Sequence, residues 1–258
     1  VTRIALALSP HLDDAVFSCG GTLARLADAG WRVVVATLFT ASVPAPQGFA
    51  LACQLDKGLE ASVDYMELRR HEDATACDRL MAQARWLPFP EAPHRGYESA
   101  KELFGPVHAE DKAADLLRPA LQDLLEQLRP DLLLAPQAIG GHVDHVIAVS
   151  AILSLATKSP MLWWRDFPYV VRAAERVPFA DIMARLDEIA VPVEPQPRSL
   201  ACEAYESQLG FQFGGKDRLA TMLAETGLQD RFRCERMTPA LLSTIPGASI
   251  VTSIGALS

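Results

Sequence analysis

The chain has 258 residues, half of them hydrophobic, and a formal net charge of −8. That much apolar material supports a sizeable core and argues against wholesale disorder. The acidic balance, with no basic run longer than Arg69-Arg70, argues against nucleic acid or an anionic membrane as partner. A membrane span needs roughly 18 to 20 apolar residues in a row; Leu153 to Ala156 and Ile250 to Leu257 are far shorter.

Five cysteines (Cys19, Cys53, Cys77, Cys202 and Cys234) are odd in number and form no CxxC pair. This favours reduced thiols over a disulfide framework. With Val1-Thr2-Arg3 leading straight into an apolar run, no leader peptide is expected and the cytoplasm is the expected location.

Arg3 to Leu8 is nearly continuous in apolar residues, as expected of a parallel strand covered on both faces. Ser9-Pro10-His11-Leu12-Asp13-Asp14 follows, and a helical pattern then runs from Ala15 to Ala29. Val16, Leu23 and Leu26 share its stripe and Gly30 is placed as a stop. Gly20-Gly21 weakens this helix by about 1 kcal/mol per residue relative to Ala, a cost that suits close backbone packing. The pair does not match GxGxxG, so no dinucleotide fingerprint is read here. Arg32 to Phe39 is the next strand, completing a right-handed βαβ unit.

Residues 40–65 lack a period and carry Pro44, Pro46 and Gly48, which predicts a long loop with one short helix beside the site. Glu67 to Ala84 reads as a helix and Arg85 to Phe89 as a short strand. Pro88 to Asp111 reads as a loop or lid. Asp111 to Arg129 is strongly amphipathic, with Pro119 either kinking the helix or marking its start. Leu132 to Ala135 is a core strand. Gly140-Gly141-His142-Val143-Asp144-His145 then opens a helix reaching Ala156. Met161 to Trp164 and Tyr169 to Arg172 read as strands around a turn at Asp166-Phe167-Pro168. Pro178 to Ile189 reads as a helix and Val191 to Val193 as extended. Ser199 to Leu209 and Lys216 to Glu225 are helices split by Gly214-Gly215, and Arg231 to Met237 is a late strand. The expectation is one α/β domain spanning 1–258. It has a Rossmann-like, mostly parallel sheet flanked by helices on both faces, and an irregular C-terminal extension.

Two polar knots thus stand at strand-to-helix junctions, where open α/β sheets bind ligands. His11 and Asp14, three apart in a first helical turn, can face one way while Asp13 points elsewhere. With His142 or His145 from the second knot they make the three-ligand set common in catalytic zinc sites. Such a metal makes hydroxide available near neutral pH, Asp13 could take the water's proton, and the spare histidine could serve the intermediate or the leaving group. Individually the residues are unremarkable as helix caps and dipole partners; the pattern lies in their conjunction.

These motifs resemble the LmbE-like (PIG-L) metal-dependent N-deacetylases. The resemblance rests on Ser-Pro-His11-Leu-Asp13-Asp14, Gly20-Gly21 and Gly141-His142-Val-Asp144-His145. Arg70 with Glu72 fits a family arginine and acidic pair, and Tyr205-Glu-Ser207-Gln208 is a weaker match. It implies one zinc per chain, or iron(II), on His11, Asp14 and His145. It further implies Asp13 as general base, and His142, oriented by Asp144, polarising or protonating the intermediate. Arg70, or Arg69 in its place, would contact substrate. Leu12, Ala15 and Val143 depart from the family's usual Pro, Glu and Pro; none is an implied ligand. The downstream Trp164-Arg-Asp-Phe-Pro168-Tyr169 is closer to the branch with glycopeptide-antibiotic deacetylases. The implied substrate is an N-acyl, usually N-acetyl, amino sugar or glycoconjugate, with a homo-oligomer compatible; a non-sugar amide and a non-catalytic sugar- or nucleotide-binding domain are the competing expectations. Trp163, Trp164, Tyr97 and Phe104 are candidates for stacking on a sugar. For the tryptophans, alternation between core and surface of a strand is the stronger expectation. His71, His94 and His108 read as ordinary polar residues.

Overall fold

A computed structural model describes residues 2–172 and 176–251, so the end of the apolar run Ile250 to Leu257 lies outside the described residues. The alternation of strand side chains sets the architecture. In the first strand, β1 (Ile4–Ser9), Ala5 and Ala7 point into one apolar layer and Leu6 and Leu8 into the other. Both faces are covered, so the strand is apolar almost throughout.

β1 pairs in parallel with β2 (Arg32–Thr37) on one side and β4 (Leu132–Pro136) on the other. β3 (Gln83–Trp86) extends the sheet beyond β2, and β5 (Met161–Trp164) beyond β4, both in parallel. The C-terminal segment is built into the same sheet. β7 (Gln229–Glu235) runs antiparallel to β5, β6 (Asp187–Pro192) antiparallel to β7, and β8 (Ser249–Ile250) antiparallel to β6. The strand order is β3-β2-β1-β4-β5-β7-β6-β8. The chain leaves β1 toward β2, and β4 lies on the opposite side, so the carboxyl ends of β1 and β4 frame the crevice where such sheets bind ligands.

Helix α1 (Asp14–Asp28) and α3 (Tyr65–Arg79) lie over one face with α8 (Pro195–Cys202). The amphipathic α5 (Ala113–Leu128) and the apolar α6 (Val143–Leu153) cover the other. Between them in sequence come α2 (Gly48–Leu55), the short helix in segment 40–65, α4 (Ala100–Leu103) in segment 88–111, and α7 (Ala180–Met183). Among the described residues, no helix is long and apolar enough to cross a membrane.

Several expectations change. Tyr169 to Arg172 is a turn, not a strand. The expected helix Pro178 to Ile189 is only α7, because Asp187 onward is recruited into β6 to pair with β7. Trp163 and Trp164 do not alternate between core and surface. They enter opposite layers and both are buried, since this sheet has no solvent face here. Helix α5 runs through Pro119, which lies on its exposed side, where water can satisfy the carbonyl left without an N–H partner. Segment 88–111 is a pinned strap. Arg95 donates to Asp111 and to the Pro90 carbonyl, and the buried Tyr97 hydroxyl donates to Asp111.

The Gly20-Gly21 pair has its packing reason. A Cβ on Gly21 would fall 2.7 Å from Val193 Cβ, where the chain leaving β6 presses on α1. Val193 is β-branched and stiff. Gly21→Ala should therefore lower stability by about 1–3 kcal/mol, although Ala is intrinsically the better helix former. A denaturant midpoint equal to or above that of the wild type would contradict this packing.

Candidate active site

The first knot is shaped by Ser9. Its hydroxyl donates to the His11 carbonyl (2.7 Å) and accepts from the Ala15 N–H (3.0 Å), clamping the turn between β1 and α1. Asp14 Oδ2 accepts from the His11 backbone N–H (2.8 Å), which aims its carboxylate back over the turn. The second knot is shaped by Gly140 and Gly141, with φ of +97° and +71°. Gly140 is doubly required: a Cβ there would lie 2.6 Å from the Tyr169 ring. The reversal sets His142 as N-cap of α6 and places His145 in its first turn.

The two knots meet. Asp14 Oδ2 lies 3.2 Å from His11 Nδ1 and 3.1 Å from His145 Nε2. Those spacings match the edges of roughly 3.3 Å in a tetrahedral site with metal–ligand bonds near 2.0–2.1 Å. Each imidazole is also held from behind by a carboxylate. Asp144 Oδ2 lies 2.9 Å from His11 Nε2, and Asp166 Oδ1 lies 2.9 Å from His145 Nδ1. A carboxylate on the far nitrogen draws the proton of a neutral imidazole to that side and leaves the lone pairs of His11 Nδ1 and His145 Nε2 free for a metal beside Asp14, the arrangement metal-binding histidines adopt.

Burial alone would lower both histidines. The bonds to Asp14 and Asp144 outweigh it for His11, and Asp14 and Asp166 lift His145 to about 9. Burial would raise Asp14, but His145 and His11 hold it well below the ordinary carboxylate range. A site that retains protons so strongly is one that favours a cation. His11, Asp14 and His145 therefore fit a divalent metal.

A second group, His11, His142 and Asp144, also has ligand atoms within 4.8 Å of one another. Its carboxylate is already committed. Arg95 Nη2 binds Asp144 Oδ1 at 2.7 Å, and Oδ2 faces His11 and the Ala92 N–H. The first group is the better cation site.

Asp144 meets His142 through its backbone and not its carboxylate. Neighbours two apart diverge around a helix, so the Asp144 side chain turns to His11 while its backbone N–H donates to His142 Nδ1 (3.2 Å). That bond leaves the proton of a neutral His142 on Nε2. Burial, reinforced by His11, pushes His142 down to about 3, so it stays a neutral N–H donor at ordinary pH.

Asp13 is buried beside this group. Burial raises its carboxyl to about 7 against the lowering pull of Arg69. Its Oδ2 accepts from Gln212 Nε2 (3.1 Å) and faces Arg69 Nη2 at 3.6 Å. Arg69 also pairs with Glu91 (2.5 Å) and lines the cavity. Arg70 is not among the residues lining the cavity; it ties α3 to the Thr40 carbonyl and Ser42 and pairs with Glu67 on the same helix. Of the two adjacent arginines, only one can point inward from a helix.

The group opens on a cavity of about 890 Å³ walled by Phe49, Lys57, Tyr65, Phe104, Tyr169 and Phe211. Tyr97 is not available for stacking, being buried against His108 at a ring separation of 4.1 Å. Sequence reasoning places Asp166 only in a turn and gives Arg95 and Gln212 no role. Asp166 carries a weak signal in following the apolar run of β5, at the same strand end as the two knots. Asp166→Asn should weaken zinc affinity about 10- to 100-fold with the fold intact, measured by competition against a chromogenic chelator. An unchanged affinity would remove Asp166 from the support of His145.

The model of the family described as PIG-L, GlcNAc-PI de-N-acetylase, matches residues 6–156. A 2'-N-acetylparomamine deacetylase of Streptomyces fradiae is 34% identical over 167 residues, covering 64% of this chain and 57% of that protein. The chain thus spans less than two thirds of that relative's length. A 2'-N-acetylparomamine deacetylase of Niallia circulans is 31% identical over 189 residues, covering 65% of this chain and 68% of that protein. Among solved structures, the A40926 pseudoaglycone deacetylase Dbv21 superposes with a TM-score of 0.75 at 28% identity, covering 92% of this chain and 98% of that one. With a family match over more than half its length, and both polar knots inside the matched region, the chain belongs to the PIG-L (LmbE-like) family.

Proposed function

We propose that this protein is a metal-dependent N-deacetylase that hydrolyses the N-acetyl group of an amino-sugar-containing small molecule, releasing acetate and a free amine. The observation that carries the proposal is the convergence of His11, Asp14 and His145, with His11, Asp14, Asp13 and His142 all lining the cavity. His11 Nδ1, an Asp14 carboxylate oxygen and His145 Nε2 would hold the metal, zinc or iron(II). Bound there, the ion supplies a Lewis acid that polarises an amide carbonyl and makes hydroxide available near neutral pH.

The residues of the chain do the rest. Asp13, desolvated and more basic than an ordinary carboxylate, accepts a proton from the attacking water. His142 donates its Nε2–H to the carbonyl oxygen as negative charge develops there. Nitrogen leaves with a proton returned from the Asp13 carboxyl, so the base is regenerated and the books of atoms balance: amide plus water gives acid plus amine. Arg69 and Glu91 hold the wall behind Asp13.

The cavity supports an amino-sugar substrate. Its volume lies in the range of small-molecule sites, and its aromatic rings suit the flat faces of sugars. The two acetylparomamine-deacetylating relatives point to the same chemical class.

Asp13→Asn should cut acetate release about 10²- to 10⁴-fold while zinc content by elemental analysis stays at one per chain. Removing metal with a chelator should abolish acetate release, and zinc or iron(II) should restore it. A metal-loaded protein that releases no acetate from a panel of N-acetylated amino sugars, 2'-N-acetylparomamine included, would overturn the proposed activity.

A further inference from the structure

The family match ends at residue 156, yet a side chain from far beyond it touches Asp13. Leu209 to Phe213 form a single π-helical turn. Such wide turns are rare and concentrate at functional sites. Here the turn delivers Gln212 to the cavity, where its Nε2 lies 3.1 Å from Asp13 Oδ2. The amide orientation follows from the partner. An ionised carboxylate only accepts hydrogen bonds, so the NH₂ must face it rather than the amide oxygen.

The turn is fixed on several sides. Tyr205 donates its hydroxyl to Asp73 (2.8 Å), and Ser207 donates its N–H and hydroxyl to Glu72 (2.7 Å each). Gln208 Nε2 lies 2.9 Å from the Tyr65 hydroxyl. All three anchors are on α3, the helix that also carries Arg69. Phe213 is buried against Phe17 and Phe167, at ring separations of 5.2 and 5.8 Å. Arg172 donates to the Gln212 carbonyl. The result is a rigid mount for one amide.

We propose that Gln212 is a positioning residue that holds the Asp13 carboxylate by Oδ2 and leaves Oδ1 turned to the reacting water. Among the described residues, no side chain or backbone group donates to Oδ1, whereas Gln212 and Arg69 both address Oδ2. The inference rests on Asp13 being the base, and it makes the C-terminal segment part of the working site.

The test compares three proteins loaded with zinc, using 2'-N-acetylparomamine and N-acetylglucosamine as probes. Gln212→Met keeps the bulk and loses the donor. It should lower kcat about 10- to 100-fold, the scale of one hydrogen bond to a charged group, with KM changed less than about twofold and zinc content unchanged. Gln212→His restores an N–H at similar reach and should recover most of the loss. Wild-type kcat in Gln212→Met, or equal loss in both variants, would overturn the proposal. If the wild-type protein releases no acetate from either probe, the proposed activity is what fails. Crystal structures of the wild type and Gln212→Met then decide the inference separately: an Asp13 carboxylate that turns away in the variant supports it, and one that stays in place overturns it.

Discussion

One carboxylate oxygen ties the molecule's two halves of chemistry together. Asp14 Oδ2 touches imidazoles from both knots, at 3.2 and 3.1 Å. That contact exists only because β1 and β4 are parallel neighbours whose carboxyl ends lie side by side. Every other feature of the site serves it. Ser9 clamps the first turn, Gly140 and Gly141 permit the second, and Asp144 and Asp166 hold the two rings from behind. Without a cation, the cluster answers its own charge by retaining protons on the histidines. The same field suits the cluster to a cation.

The two polar knots were legible in the sequence because their signal is local. His11 and Asp14 sit three apart just after an apolar run, and His142 to His145 repeat that placement after another. The sheet was legible for a similar reason, since buried parallel strands are apolar nearly throughout. What could not be read depends on residues remote in sequence. Asp166 matters because its carboxylate reaches His145, and Arg95 because it neutralises Asp144. Neither carries a local pattern that says so. Segment 88–111 reads as a loop or lid for this reason: Pro, Gly and His mark irregular backbone, but nothing in its composition tells that Arg95 and Tyr97 pin it. Spacing along a chain does not give side-chain direction: Asp144 meets His142 through its backbone N–H, and the helix turns its carboxylate to His11.

The C-terminal segment changes the picture most. Expected as an irregular extension, it contributes three antiparallel strands to the sheet and presses Val193 on α1 at Gly21 and Arg198 of α8 on it at Gly20. It also supplies Arg198, whose guanidinium caps the Phe17 carbonyl and pairs with Asp230 at 3.3 Å. The Asp230 carboxylate in turn accepts from the Thr22 N–H and hydroxyl, at 2.8 Å each. Helix α1 is thereby held along its length by residues some 200 positions away. Since α1 begins with Asp14, the geometry of the cation site depends on contacts that no inspection of the first 150 residues would reveal. Gln212 extends the same dependence to Asp13.

The most direct measurement is a crystal structure of the protein soaked in zinc, with the ion placed by anomalous scattering. The expected result is one ion bonded to His11 Nδ1, an Asp14 oxygen and His145 Nε2 at about 2.0–2.2 Å, with Asp144 and Asp166 still on the far nitrogens. An ion seated instead on His11 Nε2, His142 and Asp144, or no ion between the two knots, would contradict it.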